Sequence, residues 1–411
     1  MGVIAVSLSA CPSPAADAQQ SFDPAVVAAQ TTPQSPDGPV RRPAESIPVD
    51  DSFAAKAQAW AENAQLVDRL NGTVDGWYPR FAGVRRRSGV AGGAGYRQHV
   101  LGERMRFDAS AAITTKNYRV VDGHLRWLRV PTARAEVWTD YRYENFPQED
   151  FYGIGLASSP GSHTKYTYSS HDVMVRGEIQ PLDIVRIGAG IGYLWPDVGA
   201  SDIDGFLSTE RLFTDATAPG LAQQPTFRHA TINTSIDTRD RRGNPQRGGV
   251  YRASFGVWDD RSLDRHDFRR FDAGAVQYFA LTASGKHVLA PRAHLSTVTS
   301  GRDQEVPFYF LPYAGGNDTI RSFHEFRFRD RNALSFTAEY LWTPIERVSF
   351  AAFVDGGKVA PDFSGLKPTD LKAGYGIGAR AHTSKQTLAL IDVATGGGEG
   401  FRFIVRLGGT F

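Results

Sequence analysis

From Trp77 onward the chain alternates apolar and polar residues with a period of two, which predicts strands with one apolar face each. In AEVWTDYRY (135–143), Ala135, Val137, Tyr141 and Tyr143 share one face, against Glu136, Trp138, Asp140 and Arg142. In IVRIGAGIGYLW (184–195), Val185, Ile187, Ala189, Ile191, Tyr193 and Trp195 oppose Arg186 and three glycines. In ALSFTAEYLW (333–342), Leu334, Phe336, Ala338, Tyr340 and Trp342 oppose Ser335, Thr337 and Glu339. Sixteen such strands are predicted, near 77–86, 89–98, 105–114, 118–128, 133–143, 164–178, 184–195, 226–237, 250–258, 268–280, 287–298, 333–343, 347–355, 371–381, 387–393 and 401–410.

Upstream the pattern changes. Phe53, Ala57, Trp60, Ala64, Val67 and Leu70 recur every three or four residues, which predicts an amphipathic helix within the connection 51–76. Residues 19–50, rich in Pro, Ala, Gln and Ser, read as a disordered linker. Residues 1–18 read as an export signal whose basic front is missing. Ala16-Asp17-Ala18 offers a cleavage site, and Leu8-Ser9-Ala10-Cys11 also fits a lipoprotein signal that would acylate Cys11. Both place the barrel segment, 77–411, outside the cytoplasm.

A soluble sandwich also alternates, so three further features separate it from a membrane barrel. The apolar faces end in aromatics, Tyr193 with Trp195 and Tyr340 with Trp342, as membrane interfaces favour. The polar faces carry both signs of charge, among them Arg134, Glu136, Arg186, Arg252, Arg292, Arg380, Arg402 and Arg406, which a wet lumen tolerates. Connections after even strands are short, the longest being 238–249. The long ones, 144–163, 196–225, 299–332 and 356–370, all follow odd strands. That asymmetry is the outer-membrane pattern, and it predicts periplasmic short turns and an all-β, sixteen-stranded antiparallel barrel.

Composition agrees. The 411 residues carry a formal charge of only +2, which gives nucleic acid no electrostatic attraction. No apolar run reaches the ~18–20 residues of a membrane helix, and one cysteine allows no internal disulfide. The ten histidines show no metal-ligand spacing, and P-loop, G-x-S-x-G and zinc-protease patterns are absent, so no metal, cofactor or enzymatic activity is expected. His163, His171, Asp172, His294 and His324 are expected as polar lumen or loop residues. A hydrolase assembled from distant strands stays open as the third reading of function. The runs Arg85-Arg86-Arg87 and Arg239–Arg242 are expected at the rims, on lipid phosphates or in solvent.

Three motifs resemble one family. Asp237-Thr238-Arg239-Asp240 with Pro245 and Gly248 resembles the D-x-R-D…P-x-x-G turn of the outer-membrane protein assembly factor superfamily, the bacterial surface antigens. Ile320-Arg321-Ser322-Phe323 resembles its (V/I)-R-G-(F/Y) tip on the sixth extracellular loop. Phe353-Val354-Asp355-Gly356-Gly357 resembles its F-x-D-x-G on strand 13. The closing FRFIVRLGGTF, with Phe401, Phe403, Val405, Leu407 and Phe411 on one face, resembles a barrel targeting signal. The resemblance implies a lumenal sixth loop locked by an Arg321–Asp355 pair. Glu339 is expected as a second partner, Phe323, Phe326 and Phe328 on the lumen wall, and Arg327 and Arg329 on its carboxylates. Two departures stand out: Ser322 replaces the family glycine, and the periplasmic POTRA domains are missing.

The resemblance further implies an outer-membrane protein that helps insert or translocate other proteins by opening between its first and last strands. Pro79 and Gly83 would weaken that seam. Outer-membrane lipids, unfolded client proteins and a separate periplasmic partner are the expected partners. A passive channel or structural barrel of the same fold remains the alternative, in which the Arg321 pair would only stabilise a plugged lumen.

Overall fold

The structure, a computed structural model, describes residues 4–8 and 74–407 apart from 82–83, 86–87, 102–104, 131–132, 242 and 383–386. The expected helix at 52–70, the linker, Cys11, Gly83, Arg86, Arg87, Arg242 and Phe411 lie outside the described residues.

Sixteen strands, numbered in chain order, form the wall. They are β1 Gly76–Arg80, β2 Ala91–Val100, β3 Met105–Thr114, β4 Arg119–Val130, β5 Ala135–Phe151, β6 Thr164–Leu182, β7 Val185–Ala200 and β8 Phe227–Asp237. They continue as β9 Gly248–Asp260, β10 Phe268–Ala280, β11 His287–Ser300, β12 Asn332–Ile345, β13 Val348–Ala360, β14 Lys372–His382, β15 Thr387–Thr395 and β16 Arg402–Leu407. Each pairs antiparallel with its chain neighbour. Among the described residues no ladder joins β1 to β16. The segment Ile4–Leu8 instead runs parallel to β16, opposite Phe403–Leu407.

The side chains of this wall are distributed inside out. Ile187, Ile191, Phe336, Val354, Tyr375, Ile377 and Ile391 are exposed on its outer face. Arg142, Glu144, Asp172, Arg270, Asp355, Arg380, Asp392, Arg402 and Arg406 are buried on its inner face. Water as the outer solvent would reverse that arrangement, so the outer face is built for hydrocarbon. Aromatics bound the apolar band at both ends. Tyr193, Trp195 and Phe401 stand exposed toward the long loops, and Trp127, Trp342 and Phe350 toward the short turns.

The long connections, 152–163, 201–226, 301–331 and 361–371, all leave odd strands. Strands β5, β6 and β7 extend beyond their expected ends to Phe151, Leu182 and Ala200. Their upper parts carry Phe146, Phe151, Tyr166 and Tyr168 inward, where an aromatic core forms with Phe227, Trp258, Phe268 and Phe308–Phe310. The structure corrects the expected end of β13. It runs on to Ala360, so Asp355 sits within the strand and not at its end. Gly356 and Gly357 stay in the ladder opposite Phe336 and Ser335, because a Cβ on either would collide with that neighbouring strand.

A charge placed on the outer band should therefore be costly. Ile377→Arg, at mid-height on β14, is expected to destabilise the barrel by ~2–4 kcal/mol in lipid, read from unfolding in liposomes. The same change at the rim should cost far less.

Candidate functional site

The sixth loop, residues 301–331, explains why so many aromatics and cations share one segment. All of 306–330 is buried except His324, which is half-buried. The loop re-enters the lumen as a narrow hairpin in which Tyr313–Ala314 pairs with Phe328–Arg329. Gly315 and Gly316 form its neck with φ of 100° and 107°, a region open mainly to glycine. A Cβ on Gly315 would lie 2.6 Å from the His324 carbonyl, and one on Gly316 would overlap the Glu325 carboxylate.

At the tip, Arg321 reaches the opposite wall. Its Nε and Nη2 donate to the two oxygens of Asp355, each at 2.9 Å, and its backbone N–H donates to the same carboxylate at 3.0 Å. Nη1 donates to Glu339 at 3.0 Å and to Asp392 at 3.1 Å. The guanidinium lies 3.3 Å from the centre of the Phe353 ring. Thr337 donates to Asp355 at 2.8 Å, and Arg380 donates to Asp392 at 2.5 Å and to Glu339 at 3.1 Å. Burial opposes the Arg321 charge, but Asp355 first and Glu339 next outweigh it, so its affinity for the proton rises above the ordinary value.

Of the expected residues, Arg321, Asp355 and Glu339 thus meet in one network. Asp392 and Arg380 complete it. Asp392 was not singled out from the sequence, although it is the only charged residue of TLALIDVAT and falls on that strand's inward register. Phe323 packs edge-on against Phe328, with centroids 5.2 Å apart, and its carbonyl accepts from Arg402.

Other parts of the loop are tied down separately. Arg327 donates to Glu399 at 2.6 Å and to Ser158 at 2.8 and 2.9 Å. Arg406 donates to Asp318 and to the Asn317 carbonyl. Arg329, expected on a carboxylate, is fully buried and donates to the Phe308 carbonyl and the Tyr166 hydroxyl. Phe326 stacks under that guanidinium and lies against Tyr313. Both walls of β5–β6 and β15–β16 therefore hold the same loop, which shows the sheet rolled around it.

The Ser322 departure is absorbed locally. Ser322 is not among the residues with positive φ, so its backbone does not require glycine. Its side chain sits over Gly374 of β14, where a Cβ would fall 2.6 Å from the Ser322 Cβ. The absent side chain at Gly374 leaves the room that Ser322 occupies.

The turn motif is also built as the sequence suggests. Arg239 clamps both oxygens of Asp237, and one oxygen of Asp240 accepts from the N–H groups of Arg241, Gln246 and Arg247. Pro245 is buried beneath the turn. Gly248, with φ of 80°, passes so close to Thr238 that a Cβ would overlap its carbonyl. The Gly243 carbonyl accepts from Thr387 at the start of β15, so the turn leans across the barrel mouth. Phe401 and Phe403 are exposed on the outer face, Val405 is half-buried on the same register, and of Leu407 the backbone pairing alone is described.

Two other expectations are corrected. His171 faces outward, bonded to Tyr141, because it falls on the apolar register of β6. Arg85 turns inward, bound to Glu149 with its guanidinium over Phe146 and Phe326, so most of it is withdrawn from lipid and solvent. Asp172 pairs with the fully buried His229 at 2.9 Å, over Gly192, whose missing side chain leaves room for the contact. Among the described residues no cluster could hold a metal ion.

A plugged sixteen-stranded wall carrying these motifs in order is matched by the Omp85 superfamily domain over residues 200–411. The chain belongs to the Omp85 superfamily. Membership and fold together place it in the Gram-negative outer membrane. Its fold resembles BamA from Haemophilus ducreyi lacking POTRA domains 1–3, at 15% identity and a TM-score of 0.56, over 78% of this chain and 65% of that one. CdiB from Acinetobacter baumannii aligns at 13% identity and a TM-score of 0.46, over 74% and 52% of the two chains. CdiB from Escherichia coli aligns at 11% and 0.48, over 75% and 55%. The chain thus spans about half to just under two thirds of these proteins. No curated protein matches it in sequence.

Two tests follow from the geometry. Arg321→Ala and Asp355→Ala should each destabilise the barrel by ~3–5 kcal/mol, since each leaves buried charge without its partner. The drop should appear as lost heat-modifiable gel mobility at lower temperature, and unchanged mobility in both would exclude the network as a fixing point. Gly374→Ala should cost ~1–3 kcal/mol through overpacking, and adding Ser322→Gly should recover most of it.

Proposed function

We propose that this Omp85 barrel assists the insertion of proteins into the outer membrane, or their translocation across it. The observation that carries the reading is the Arg321 network. A loop re-entering from one end of the lumen is clamped by three strands, β12, β13 and β15, next to the short strand β16. Such a contact can hold the wall on the β16 side of the β1–β16 seam in one arrangement, or release it.

Several features support the same reading. β1 has five residues, and Pro79, the fourth of them, has no N–H to give a ladder. Trp77 on β1 and Phe403 on β16 stand exposed beside the seam. A passive channel would need a clear path, whereas the sixth loop and the aromatics Phe308–Phe310 occupy the lumen. In this reading the short turns and the N-terminal side are periplasmic, clients arrive unfolded, a separate periplasmic partner delivers them, and no bond chemistry is involved.

The deciding experiment measures how fast an unfolded model barrel folds into liposomes with and without this protein already inserted. Acceleration by the wild type, lost in Arg321→Ala, is the expected result. A well-folded wild type that gives no acceleration would overturn the proposal.

A further inference from the structure

The outer face of the barrel carries an uneven distribution of charge at the long-loop end. On β8, β9 and β10 the apolar band ends in Arg228, Asp259 and Arg269, with Arg261 one residue beyond β9. Arg228 lies opposite Asp259, and Arg269 lies opposite Val257, so these side chains share one patch of the outer face. Asp259 bridges Arg228 at 2.8 Å and Arg261 at 3.2 Å. Arg269 is exposed, and no hydrogen bond or ion pair is described for it. Three cations thus meet one carboxylate, and half of the Arg228 and Arg261 side-chain surface is open. Of the nearby carboxylates, Asp260 and Asp267 accept from backbone N–H groups at the β9–β10 connection, Asp264 lies exposed in that connection, and Asp197 on β7 accepts from Ser169 of β6.

Elsewhere on the same rim Leu334 on β12, Tyr375 on β14, and Phe401 and Phe403 at β16 are uncharged, and Arg119 on β4 is a single cation bonded to Asn117. The cluster is therefore a local feature. It also borders groups suited to a lipid interface. Tyr193 lies opposite Arg228, stacked on Trp195, and Val257, Phe255 and Phe271 continue the exposed surface toward the membrane centre. Aromatic rings at headgroup depth with cations just above them form a surface where acyl chains and anionic headgroups can be met together.

We infer that Arg228, Arg261 and Arg269 bind the headgroup of a diphosphorylated glycolipid in the leaflet on the long-loop side. Two strand spacings separate β8 from β10, roughly 10 Å. That is wider than one phosphate and fits two phosphates carried on a sugar. Arg269 takes one phosphate alone. Arg228 and Arg261 take the other from either side of Asp259, which fixes both guanidinium groups in place. Arginine suits this role because its planar fork meets phosphate with two donors. The site does not depend on whether the barrel inserts proteins.

Native mass spectrometry of the folded barrel in neutral detergent tests this, with diphosphoryl lipid A, monophosphoryl lipid A, phosphatidylglycerol and inorganic phosphate as separate probes. The wild type should retain diphosphoryl lipid A most strongly, and Arg228→Gln/Arg269→Gln should weaken retention roughly ten- to thirtyfold. Arg119→Gln, at a rim cation bonded to Asn117 on another part of the wall, should bind as the wild type does. Heat-modifiable mobility confirms folding, and Arg269→Gln alone serves if the double variant fails to fold. Equal retention by the wild type and the folded variant would overturn the site. Phosphatidylglycerol retained as strongly as diphosphoryl lipid A would overturn the diphosphate assignment.

Discussion

A guanidinium buried inside a barrel must find several acceptors at once, and Arg321 finds them on three different strands. Asp355 on β13 takes two of its side-chain donors, while Glu339 on β12 and Asp392 on β15 share a third nitrogen. The loop that carries Arg321 cannot be placed anywhere else in the lumen without leaving those carboxylates unpaired, and unpaired buried charge is the costlier state. The position of the tip then dictates the rest of the plug. It sets where Phe323 meets β16, where Arg327 meets Glu399 and Ser158, and where the Phe308–Phe310 turn closes against β5 and β6.

The same constraint accounts for the inverted wall. A lumen lined by Arg142, Glu144, Arg270, Asp355, Asp392, Arg402 and Arg406 has no hydrophobic core of the usual kind at mid-height. Its cohesion there comes from paired charges, and its apolar area is turned outward to lipid. Aromatic packing gathers at the long-loop end, where β5 and β7 extend and the loops need a roof. The barrel is thus held by charge at mid-height, by aromatics above it, and by a smaller apolar cluster that includes Val250, Val276, Val288 and Leu341 toward the short turns.

Much of this was legible in the sequence because a strand's period of two leaves few choices of face. All sixteen strands and every long connection were found, and Glu339 and Asp355 were placed inward from alternation alone. Boundaries went astray where a strand continues past the membrane, as β5 does to Phe151, since its upper half has both faces mixed and no clean alternation. Asp355 seemed to end β13 because Gly356-Gly357 reads as a turn, whereas here the two glycines admit a close neighbouring strand. Asp392 was missed for a different reason. Nothing in its own strand says which distant residue it meets, and only the re-entry of the sixth loop brings the Arg321 tip over β15.

The contact between Ser322 and Gly374 shows what the motif requires. Resemblance alone treats Ser322 as a loss, because the family pattern has glycine beside the arginine. The geometry shows that the requirement is room at one point of the loop–wall contact, and that either partner can supply it. Ser322 keeps its backbone out of the left-handed region, and Gly374 removes the side chain it would have struck. What must be preserved is therefore the distance between the tip and β14, which brings Arg321 within reach of Asp355, and with it the ring of Phe353 beneath the guanidinium. A short motif in such a loop is best read as one half of a contact, with the other half on a strand some fifty residues away.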